Sequence, residues 1–510
     1  MLRSPAIATL LLLLLTSSAF SQEEAAKSGS PAEAPEPKSV VTRHELRIGG
    51  QTVRYAATAG WLIMKGTEGE PVARFGYTAY TREGVADPSR RPVLFAFNGG
   101  PGSSSIWLHM GILGPRRVVV TDADFTPPPP VEIVDNAYTV LDVSDVVMID
   151  PVGTGYSKVL GKAKVEDFWG VDQDIASVAA FIARWVGENG RWRSPKYVLG
   201  ESYGGIRASG LAYALQTTHR LNLNGIVLVS PFMDFGAGVD GIGNDLPHAL
   251  YLPALAATAW YHHALEDRPE NLRDFLEEVE RFAIDDYVPA LLRGYTLAEQ
   301  DARAIAARLA AYTGTSADYW MRADLRVSHE RFLQELAREE RIVAGRIDSR
   351  FAGGSLNPLA ERQDYDPFFP SVGPAFAAAF FDYYRRELGF EHEDEYVVSA
   401  GAFQKWDWKH RQPGAGFWST PAPNVLPDLA HAMTMNPGLH VLVQQGYYDL
   451  ATPYFVTEYY VDHLDVPPAA RARIHFELYE AGHMMYIHPP SMEKYRDDLV
   501  RFIRETDRVD

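Results

Sequence analysis

The 510-residue chain contains no cysteine. Disulfides and thiolate metal sites are therefore excluded, and the fold must be held by its hydrophobic core. Basic residues are also in deficit, with 48 Lys and Arg against 66 Asp and Glu, so the formal net charge is -18. A chain of this charge repels nucleic acid and anionic membranes, and neither is expected as a partner.

Long apolar runs are scarce, and the clearest one lies at the N-terminus. Residues 1–21, MLRSPAIATLLLLLLTSSAFS, combine an early Arg3, a short apolar stretch and small residues near the end. This pattern is typical of a secretory signal peptide cleaved after Ser21. An uncleaved anchor is the less favoured alternative, because the stretch is too short to span a bilayer. We therefore expect export to a periplasm or to the medium, without stable insertion in a membrane.

The rest of the sequence divides by composition and periodicity. Residues 22–40 are rich in Ala, Glu and Pro and poor in apolar groups, which predicts a flexible leader. Residues 41–235 and 401–510 contain short apolar runs separated by Gly- and Pro-bearing loops. Between them, residues 236–400 have mostly helical periodicity, and Thr296 with Glu299 predicts a helix start there. The sequence thus predicts an α/β core interrupted by a helical cap insertion.

The apolar runs of the core predict a mostly parallel sheet. PVLFAF, DVVMID, KYVLG and GIVLVS, and later HVLVQQG and RIHFELY, are short and largely apolar, and helical stretches such as GVDQDIASVAAFIARWVGENG lie between some of them. Buried strands that alternate with helices indicate a parallel sheet covered on both faces. Two partly alternating segments, in RHELRIGGQTVRYAATAGWLIMK and PVARFGYTAYTREG, predict an antiparallel hairpin region before this sheet.

The stretch GESYGG at 200–205 predicts a catalytic serine. It follows the apolar run KYVLG and precedes a helix-compatible segment, which is the strand-turn-helix context of a nucleophile elbow. The flanking glycines allow a turn tight enough to expose the hydroxyl of Ser202. A serine in an ordinary loop is the alternative, since the G-x-S-x-G pattern alone is common.

A serine nucleophile requires a base and a carboxylate that orients the base. Asp449 follows the predicted strand HVLVQQG, and His483 follows RIHFELYEAG. The order Ser, Asp, His is the one found on sheets of this type, and ligand-binding loops gather at the carboxyl ends of parallel strands. The alternatives are a turn aspartate and a structural loop histidine.

A second glycine-rich loop, NGGPGSSS from Asn98, follows the first core strand. Such a loop can bring backbone amides to a reacting carbonyl, and the amide of Tyr203 in the elbow supplies another. A phosphate-binding loop is excluded because its lysine is absent, and the G-x-G-x-x-G match at 236–241 lacks the strand-to-helix context of a dinucleotide site. No metal-binding motif is present, and no cofactor is expected.

The motifs NGGPGSS, DPVGTGYS at 150–157, GESYGG and AGHM, with the late Asp449, together resemble the serine carboxypeptidase family of α/β-hydrolases. The resemblance extends over about residues 91–235 and 435–500. With the signal peptide and the absence of cysteine, it suggests a bacterial exported branch of the family.

The resemblance implies a role for each motif residue. It implies a Ser202, His483 and Asp449 triad with peptide as substrate, an oxyanion hole at Gly100 and Tyr203, and binding of the substrate carboxylate by Asn98, Gly99 and Glu201. Two carboxylates held together raise a pKa, so the resemblance implies activity at acid pH. The family's second recognition carboxyl, however, falls on Ile112, whose apolar side chain cannot share a proton.

The predicted activity is hydrolysis of C-terminal peptide bonds through an acyl-enzyme. The nearest alternative is another enzyme on the same scaffold, an esterase, acyltransferase or different peptidase, and the loss of the carboxyl at Ile112 favours it. A non-catalytic binding protein is a further alternative, against which the complete set of triad residues argues.

Overall fold

The computed structural model describes residues 36–415, 420 and 422–508. The predicted signal peptide lies outside these residues, as does most of the predicted leader. Strand β1 begins at Lys38, so the predicted leader is too long by three residues. Its last residues, Lys38 to Val40, pair with Ala59 to Trp61 of the next strand, and this backbone pairing orders them.

The described chain from Pro37 forms one compact unit. Its strands are β1 (Lys38–Ile48), β2 (Gln51–Lys65), β3 (Pro71–Arg82), β4 (Val93–Phe97), β5 (Arg116–Val118), β6 (Ile133–Asp135), β7 (Asp145–Ile149), β8 (Lys158–Val159), β9 (Lys196–Glu201), β10 (Gly225–Val229), β11 (Ile342–Ala344), β12 (Ala352–Gly354), β13 (His440–Gly446) and β14 (Ile474–Tyr479). Its α-helices are α1 (Ile106–Leu108), α2 (Val171–Glu188), α3 (Gly204–His219), α4 (Phe235–Gly238), α5 (Leu246–Tyr261), α6 (Leu272–Phe282), α7 (Val288–Arg293), α8 (Glu299–Thr313), α9 (Ala317–Arg322), α10 (His329–Glu335), α11 (Phe368–Arg386), α12 (Leu426–Met435), α13 (Tyr454–Asp462), α14 (Pro468–Arg471) and α15 (Pro489–Thr506).

The central sheet follows the order β1-β2-β3-β7-β4-β9-β10-β13-β14, and the short β8 pairs with β3. The pairs from β7 to β14 are parallel, whereas β1, β2 and β3 form an antiparallel edge. All six apolar runs of the core predicted from the sequence are strands of the parallel part. The predicted mostly parallel sheet is therefore confirmed, as is the antiparallel region before it.

Both faces of the sheet are buried, as the apolar strands require. Along β4, Val93, Phe95 and Phe97 belong to one hydrophobic cluster, whereas Leu94 and Ala96 belong to the cluster on the opposite face. This alternation follows from the two-residue period of a strand. Helices α2 and α3 cover the first face, and α11 and α15 contribute to the second. The carboxyl ends of the strands are left to carry the loops described below.

The predicted insertion at 236–400 is mainly helical and also contains the antiparallel pair of β11 and β12. Its helices α5 to α10 contribute most of a third hydrophobic cluster, which includes Leu276, Leu309 and Phe332 and is joined by Tyr448 and Tyr454 from the segment after β13. Helix α11, in contrast, packs through Phe376 and Phe380 into the cluster beneath the central sheet. The division of the chain into core and cap stays a prediction.

The helix start predicted at Thr296 is wrong. Helix α8 begins at Glu299, and its N-cap residue is Ala298. The hydroxyl of Thr296 donates instead to the carbonyl of Arg293, across a single 3-10 turn, so it is not available to cap α8. Among the residues that the structure describes, no helix is both long and apolar enough to cross a membrane.

Candidate active site

Ser202 lies on a strained turn between β9 and α3. Its φ is +63°, which is uncommon for a residue with a side chain and costs about 1–3 kcal/mol. The surrounding backbone holds it there, because its amide donates to Val229 O at 3.0 Å and its carbonyl accepts from Gly205 N at 2.8 Å. A Cβ at Gly200 would lie 2.1 Å from the carbonyl oxygen of Gly204, so the turn requires glycine. The predicted elbow geometry is present.

His483 and Asp449 form a buried pair at the ends of β14 and β13. The distance from His483 Nδ1 to Asp449 Oδ2 is 2.7 Å, and both side chains are almost fully buried. Burial lowers the pKa of His483, but pairing with the carboxylate outweighs burial, and the net direction is upward. A carboxylate at this distance fixes the tautomer with the proton on Nδ1 and leaves Nε2 as the basic atom.

The carboxylate of Asp449 is held by four further donors. The amides of Ala451 and Thr452 donate to Oδ1 at 2.8 and 3.0 Å, while the hydroxyl of Thr452 and the amide of Gln445 reach Oδ2 at 2.8 and 3.2 Å. Because these donors contact both carboxylate oxygens, they fix the orientation of the carboxylate. Asp449 is therefore held in one position behind the histidine.

Two contacts place this pair at the edge of the sheet that carries Ser202. Thr452 Oγ1 lies 3.1 Å from His483 Nδ1, and Thr452 lines the same cleft as Ser202. Ser230 follows the strand beside the elbow, and its hydroxyl donates to the carbonyl of His483 at 2.8 Å. The three predicted catalytic residues thus lie beyond the carboxyl ends of β9, β13 and β14, with β10 between β9 and β13 in the same sheet.

Gly100 and Tyr203 line the same cleft as Ser202. Within the described parts of the chain, the backbone amide of neither residue donates a hydrogen bond to another group of the protein. Gly99 touches the elbow so closely that an added Cβ would lie 2.5 Å from Tyr203 N. The two loops are also joined by Arg207, whose guanidinium donates to the carbonyl of Asn98 at 2.8 Å. This arrangement can direct two N–H groups at a developing oxyanion.

Glu201 is buried beside the nucleophile. Asn98 donates from Nδ2 to its Oε1 at 2.6 Å, and the hydroxyl of Tyr486 donates to its Oε2 at 2.7 Å. Burial raises the pKa of this carboxyl to about 7, although the nearby His483 and the two donors oppose the shift. A carboxyl with this pKa can carry a proton below neutral pH and donate it to another carboxylate.

The contact with Tyr486 was not predicted from the sequence. Ile112 lies in a buried π-helical turn, His109–Leu113, and offers no polar atom to Glu201. The ring of Tyr486 packs instead over the adjacent Gly111, where an added Cβ would lie 2.4 Å from the ring. Glu201 therefore has a phenolic donor as a partner, whereas the resemblance implies a second carboxyl.

The cleft in front of Ser202 has a volume of about 590 Å³. A neighbouring cavity of about 730 Å³ shares Asp240, Ser328 and Arg362 with it and lies among the helices of the insertion. The cleft thus continues into a second chamber. The cleft in front of Ser202 is lined by the aromatic residues Tyr203, Phe232, Phe235, Tyr251, Phe403 and Trp408.

Sequence reasoning also missed Thr452 and Arg207. The three-residue spacing from Asp449 to Thr452 was a usable signal, because Asp side chains accept from amides two and three residues later in such turns. Arg207 could not be recognised from the sequence, because its partner Asp174 lies on another helix: their ion pair at 2.7 Å joins α3 to α2.

Among the described residues, no group of three His, Asp or Glu side chains could hold a metal ion.

Comparison with known proteins extends the resemblance. The sequence model of the serine carboxypeptidase family matches residues 50–298, which include Ser202 and the loop at Asn98 and end before Asp449. Serine carboxypeptidase-like 33 from Arabidopsis thaliana is 28% identical over 158 residues, which cover 29% of this chain and 31% of that protein. Serine carboxypeptidase-like 10 from the same plant is 26% identical over 156 residues, with 28% and 34% covered. The matched region spans about a third of each relative.

The fold is similar to that of a solved carboxypeptidase structure. Kex1(delta)p, a prohormone-processing carboxypeptidase from Saccharomyces cerevisiae, matches with a TM-score of 0.54 at 14% identity, over 88% of this chain and 92% of that one. At this identity the likeness bears on the fold, and it agrees with the mostly parallel sheet and its helices. The chain has the fold class predicted from its sequence, that of an α/β-hydrolase.

Proposed function

We propose that this chain, whose residues 50–298 match the serine carboxypeptidase family, is an exported enzyme that releases the last residue of a peptide. The observation that carries the proposal is the position of Glu201, a buried and protonatable carboxyl directly before the nucleophile. A substrate carboxylate can share its proton with Glu201, whereas an internal peptide bond presents no such group. The site would thus select the end of a chain.

The proposed reaction uses the triad in two half-reactions. His483 accepts the proton of Ser202 as the serine oxygen attacks the scissile carbonyl, and Asp449 stabilises the imidazolium that forms. Collapse of the tetrahedral intermediate breaks the C–N bond, and His483 gives its proton to the departing amine. Water, deprotonated by the same histidine, then hydrolyses the acyl-serine ester and regenerates the enzyme.

The remaining groups have supporting roles in the proposal. The amides of Gly100 and Tyr203 donate to the oxyanion of each tetrahedral intermediate. Asn98, Gly99 and Glu201 bind the carboxylate of the leaving residue, and the donors to Asp449 hold its carboxylate in position behind His483. Export is also a proposal, which rests on the N-terminal sequence. A bacterial origin is a further proposal, and the relatives named above do not support it, because they come from a plant and a yeast.

Paired peptides test this function directly. We expect the purified protein to release the last residue of an N-blocked peptide with a free carboxylate, and to cleave its C-terminal amide at least about tenfold more slowly, because the amide carries no carboxylate to share the proton of Glu201. Release is measured by chromatography of the products. Equal cleavage of the two peptides would contradict carboxypeptidase specificity while leaving hydrolysis intact.

The hydroxyl of Tyr486 is expected to set the pH range of this preference. Its hydrogen bond favours the ionised form of Glu201, so Tyr486→Phe should raise the pKa of that carboxyl further above its usual range. The preference for free acid over amide falls as pH rises through the pKa of Glu201. In the variant, that fall should move to higher pH by about one to two units.

Tyr495→Phe is the matched control for this experiment. The ring of Tyr495 lies 6.2 Å from that of Tyr486, and its buried hydroxyl has no hydrogen-bond partner among the described residues. This variant should leave the pH dependence of the acid-to-amide ratio unchanged. Two results would contradict the role given to the Tyr486 hydroxyl. In the first, the acid-to-amide ratio of Tyr486→Phe falls at a lower pH than in the unmodified protein. In the second, the pH of this fall shifts equally in both variants.

A second candidate function is an esterase or acyltransferase on the same site. It is favoured by the apolar Ile112 and by the aromatic lining of the cleft, since neither requires a carboxylate in the substrate. Comparison of a peptide with its isosteric ester, each as free acid and as amide, separates the two functions. An esterase would cleave both esters and neither peptide.

A further inference from the structure

Arg346 places a positive charge at the cleft that contains Ser202. It lies between β11 and β12, next to Ile347, whose carbonyl accepts the amide of His483 at 2.8 Å. The backbone of this segment is fixed on both sides. The amides of Arg346 and Ile347 donate to Asp366 at 3.2 and 3.1 Å, and the carbonyl of Arg346 accepts from Leu450 N at 3.0 Å. The guanidinium is therefore carried by a rigid support beside the predicted base.

The guanidinium of Arg346 makes no ion pair or hydrogen bond within residues 36–415 and 422–508. Arg362, the other arginine at this cleft, is paired with Glu330 at 2.8 Å. Asp366 is the acid joined to the Arg346 backbone, but its carboxylate is taken up by the amides of Arg346, Ile347 and Phe368. Asp240, also at the cleft, lies 4.0 Å from His248. The guanidinium of Arg346 is thus left without a hydrogen-bonded partner among the described residues, although its charge acts on the buried carboxyl of Asp366, where burial raises the pKa and the charge of Arg346 opposes that shift.

The charge of Arg346 acts on two histidines near the cleft. His329 lines the cleft and stacks on Tyr251, with ring centroids 5.1 Å apart. Burial lowers the pKa of His329 to about 3, and the charges of Arg346 and Arg362 act in the same direction. The charge of Arg346 also opposes protonation of His483. An anionic group that lies close to the guanidinium of Arg346 would be attracted by its charge.

The position of the cleft relative to Glu201 indicates which part of a substrate meets Arg346. Gly100, Ser202 and Tyr203 line the cleft, whereas Asn98 and Glu201, proposed to hold the leaving residue, are buried and do not line it. The cleft therefore takes the other side of the scissile bond, and its continuation into the second cavity leaves room for the peptide that precedes this bond.

We propose that Arg346 binds an acidic side chain on the penultimate residue of the peptide, so that Glu or Asp at that position is preferred. This specificity rests on the proposed carboxypeptidase function. A guanidinium without a hydrogen-bonded partner forms charge-assisted, two-point hydrogen bonds with a carboxylate, and an uncharged amide of equal size cannot replace them.

The test measures binding before turnover. Two N-blocked peptides that differ only in a penultimate Glu or Gln are titrated into Ser202→Ala protein by calorimetry, and both are then assayed with the active enzyme. We expect the Glu peptide to bind about tenfold more tightly and to have the higher kcat/KM. Arg346→Met should bring both ratios close to one, and Arg346→Lys should keep part of the preference.

Arg303→Met is the matched control, because it removes the same charge from an exposed position on α8 of the insertion. It should leave the Glu-to-Gln ratio as it is in the unmodified protein. A second peptide pair, with Glu or Gln as the last residue, tests the assigned position. A preference confined to this pair would overturn that assignment.

The outcomes separate this proposal from the proposed function. Tighter binding of the Glu peptide that depends on Arg346, without any hydrolysis, would support the anionic subsite and refute the carboxypeptidase. Hydrolysis with equal binding of the two peptides would refute the subsite alone. Equal loss of binding for both peptides in Arg346→Met would show that Arg346 holds the terminal carboxylate instead, which also overturns the proposal.

Discussion

Ser202→Ala is expected to reduce kcat by roughly 10⁴- to 10⁶-fold, because removal of the hydroxyl removes the attacking atom. Binding of peptide should change little, since the oxyanion amides and Glu201 stay in place. Relief of the backbone strain at φ +63° is not expected, because alanine occupies the same turn. The measurement is single-turnover hydrolysis of the N-blocked free-acid peptide, with peptide binding determined separately.

Ser209→Ala provides the control for this variant. Ser209 lies on the same helix, α3, is fully buried, and its hydroxyl has no hydrogen-bond partner among the described residues. Its substitution should leave kcat within about twofold of the unmodified protein, as expected for a change that removes no interaction. Activity that survives in Ser202→Ala while both variants remain folded would refute the proposed mechanism itself.

Asp449→Asn is expected to lower kcat by about 10⁴-fold at neutral pH. The carboxylate accepts hydrogen bonds at both oxygens and faces His483 Nδ1 at 2.7 Å. An Asn side chain in its place carries an NH2 group on one side. This group either faces the donors that now contact the carboxylate, or faces His483 Nδ1. In the second orientation it donates to Nδ1 and stabilises the tautomer with the proton on Nε2. That tautomer cannot accept the proton of Ser202.

The pH dependence distinguishes this catalytic effect from a loss of structure. Without the carboxylate, the pKa of His483 should fall, because pairing with Asp449 is what raises it. The acid limb of kcat should therefore move to lower pH in the variant, while Tm and peptide binding stay close to their original values. A reduced kcat with an unmoved acid limb would argue that Asp449 does not contact the base during catalysis.

The parts of the fold that depend on local pattern were predictable from the sequence. The strands of the parallel sheet are short apolar runs buried on both faces, and each is followed by a loop, so their positions follow from the pattern of apolar residues along the chain. The elbow at Ser202 was predictable for a similar reason, because its glycines, strand and helix are contiguous. Asp449 and His483 followed from chain order and from their places after the last two strands.

Contacts between distant segments were not predictable. Tyr486 reaches Glu201 from a turn 285 positions away, and no feature of AGHMMYIHP marks a tyrosine as the partner of a buried acid. Thr296 illustrates a local failure, since its hydroxyl could cap α8 or bond to Arg293, and the backbone path decides between these competing hydrogen bonds. The packing of α11 beneath the sheet could not be predicted either. The apolar face of this helix could pack equally well on the sheet or on the other helices of the insertion, and only the tertiary structure decides between them.

The strand order has a consequence for the synthesis of this chain on the ribosome. Strand β10 pairs with β9 on one side and with β13 on the other, and β13 and β14 are made about 200 residues later. At roughly 5–20 residues per second, the ribosome needs roughly ten to fifty seconds to pass from Ser202 to Asp449. During that interval the nascent chain has a nucleophile without its base, and one edge of β10 is open. The three residues of the proposed triad are therefore complete only after the last two strands are made, and the proposed activity cannot begin before that point.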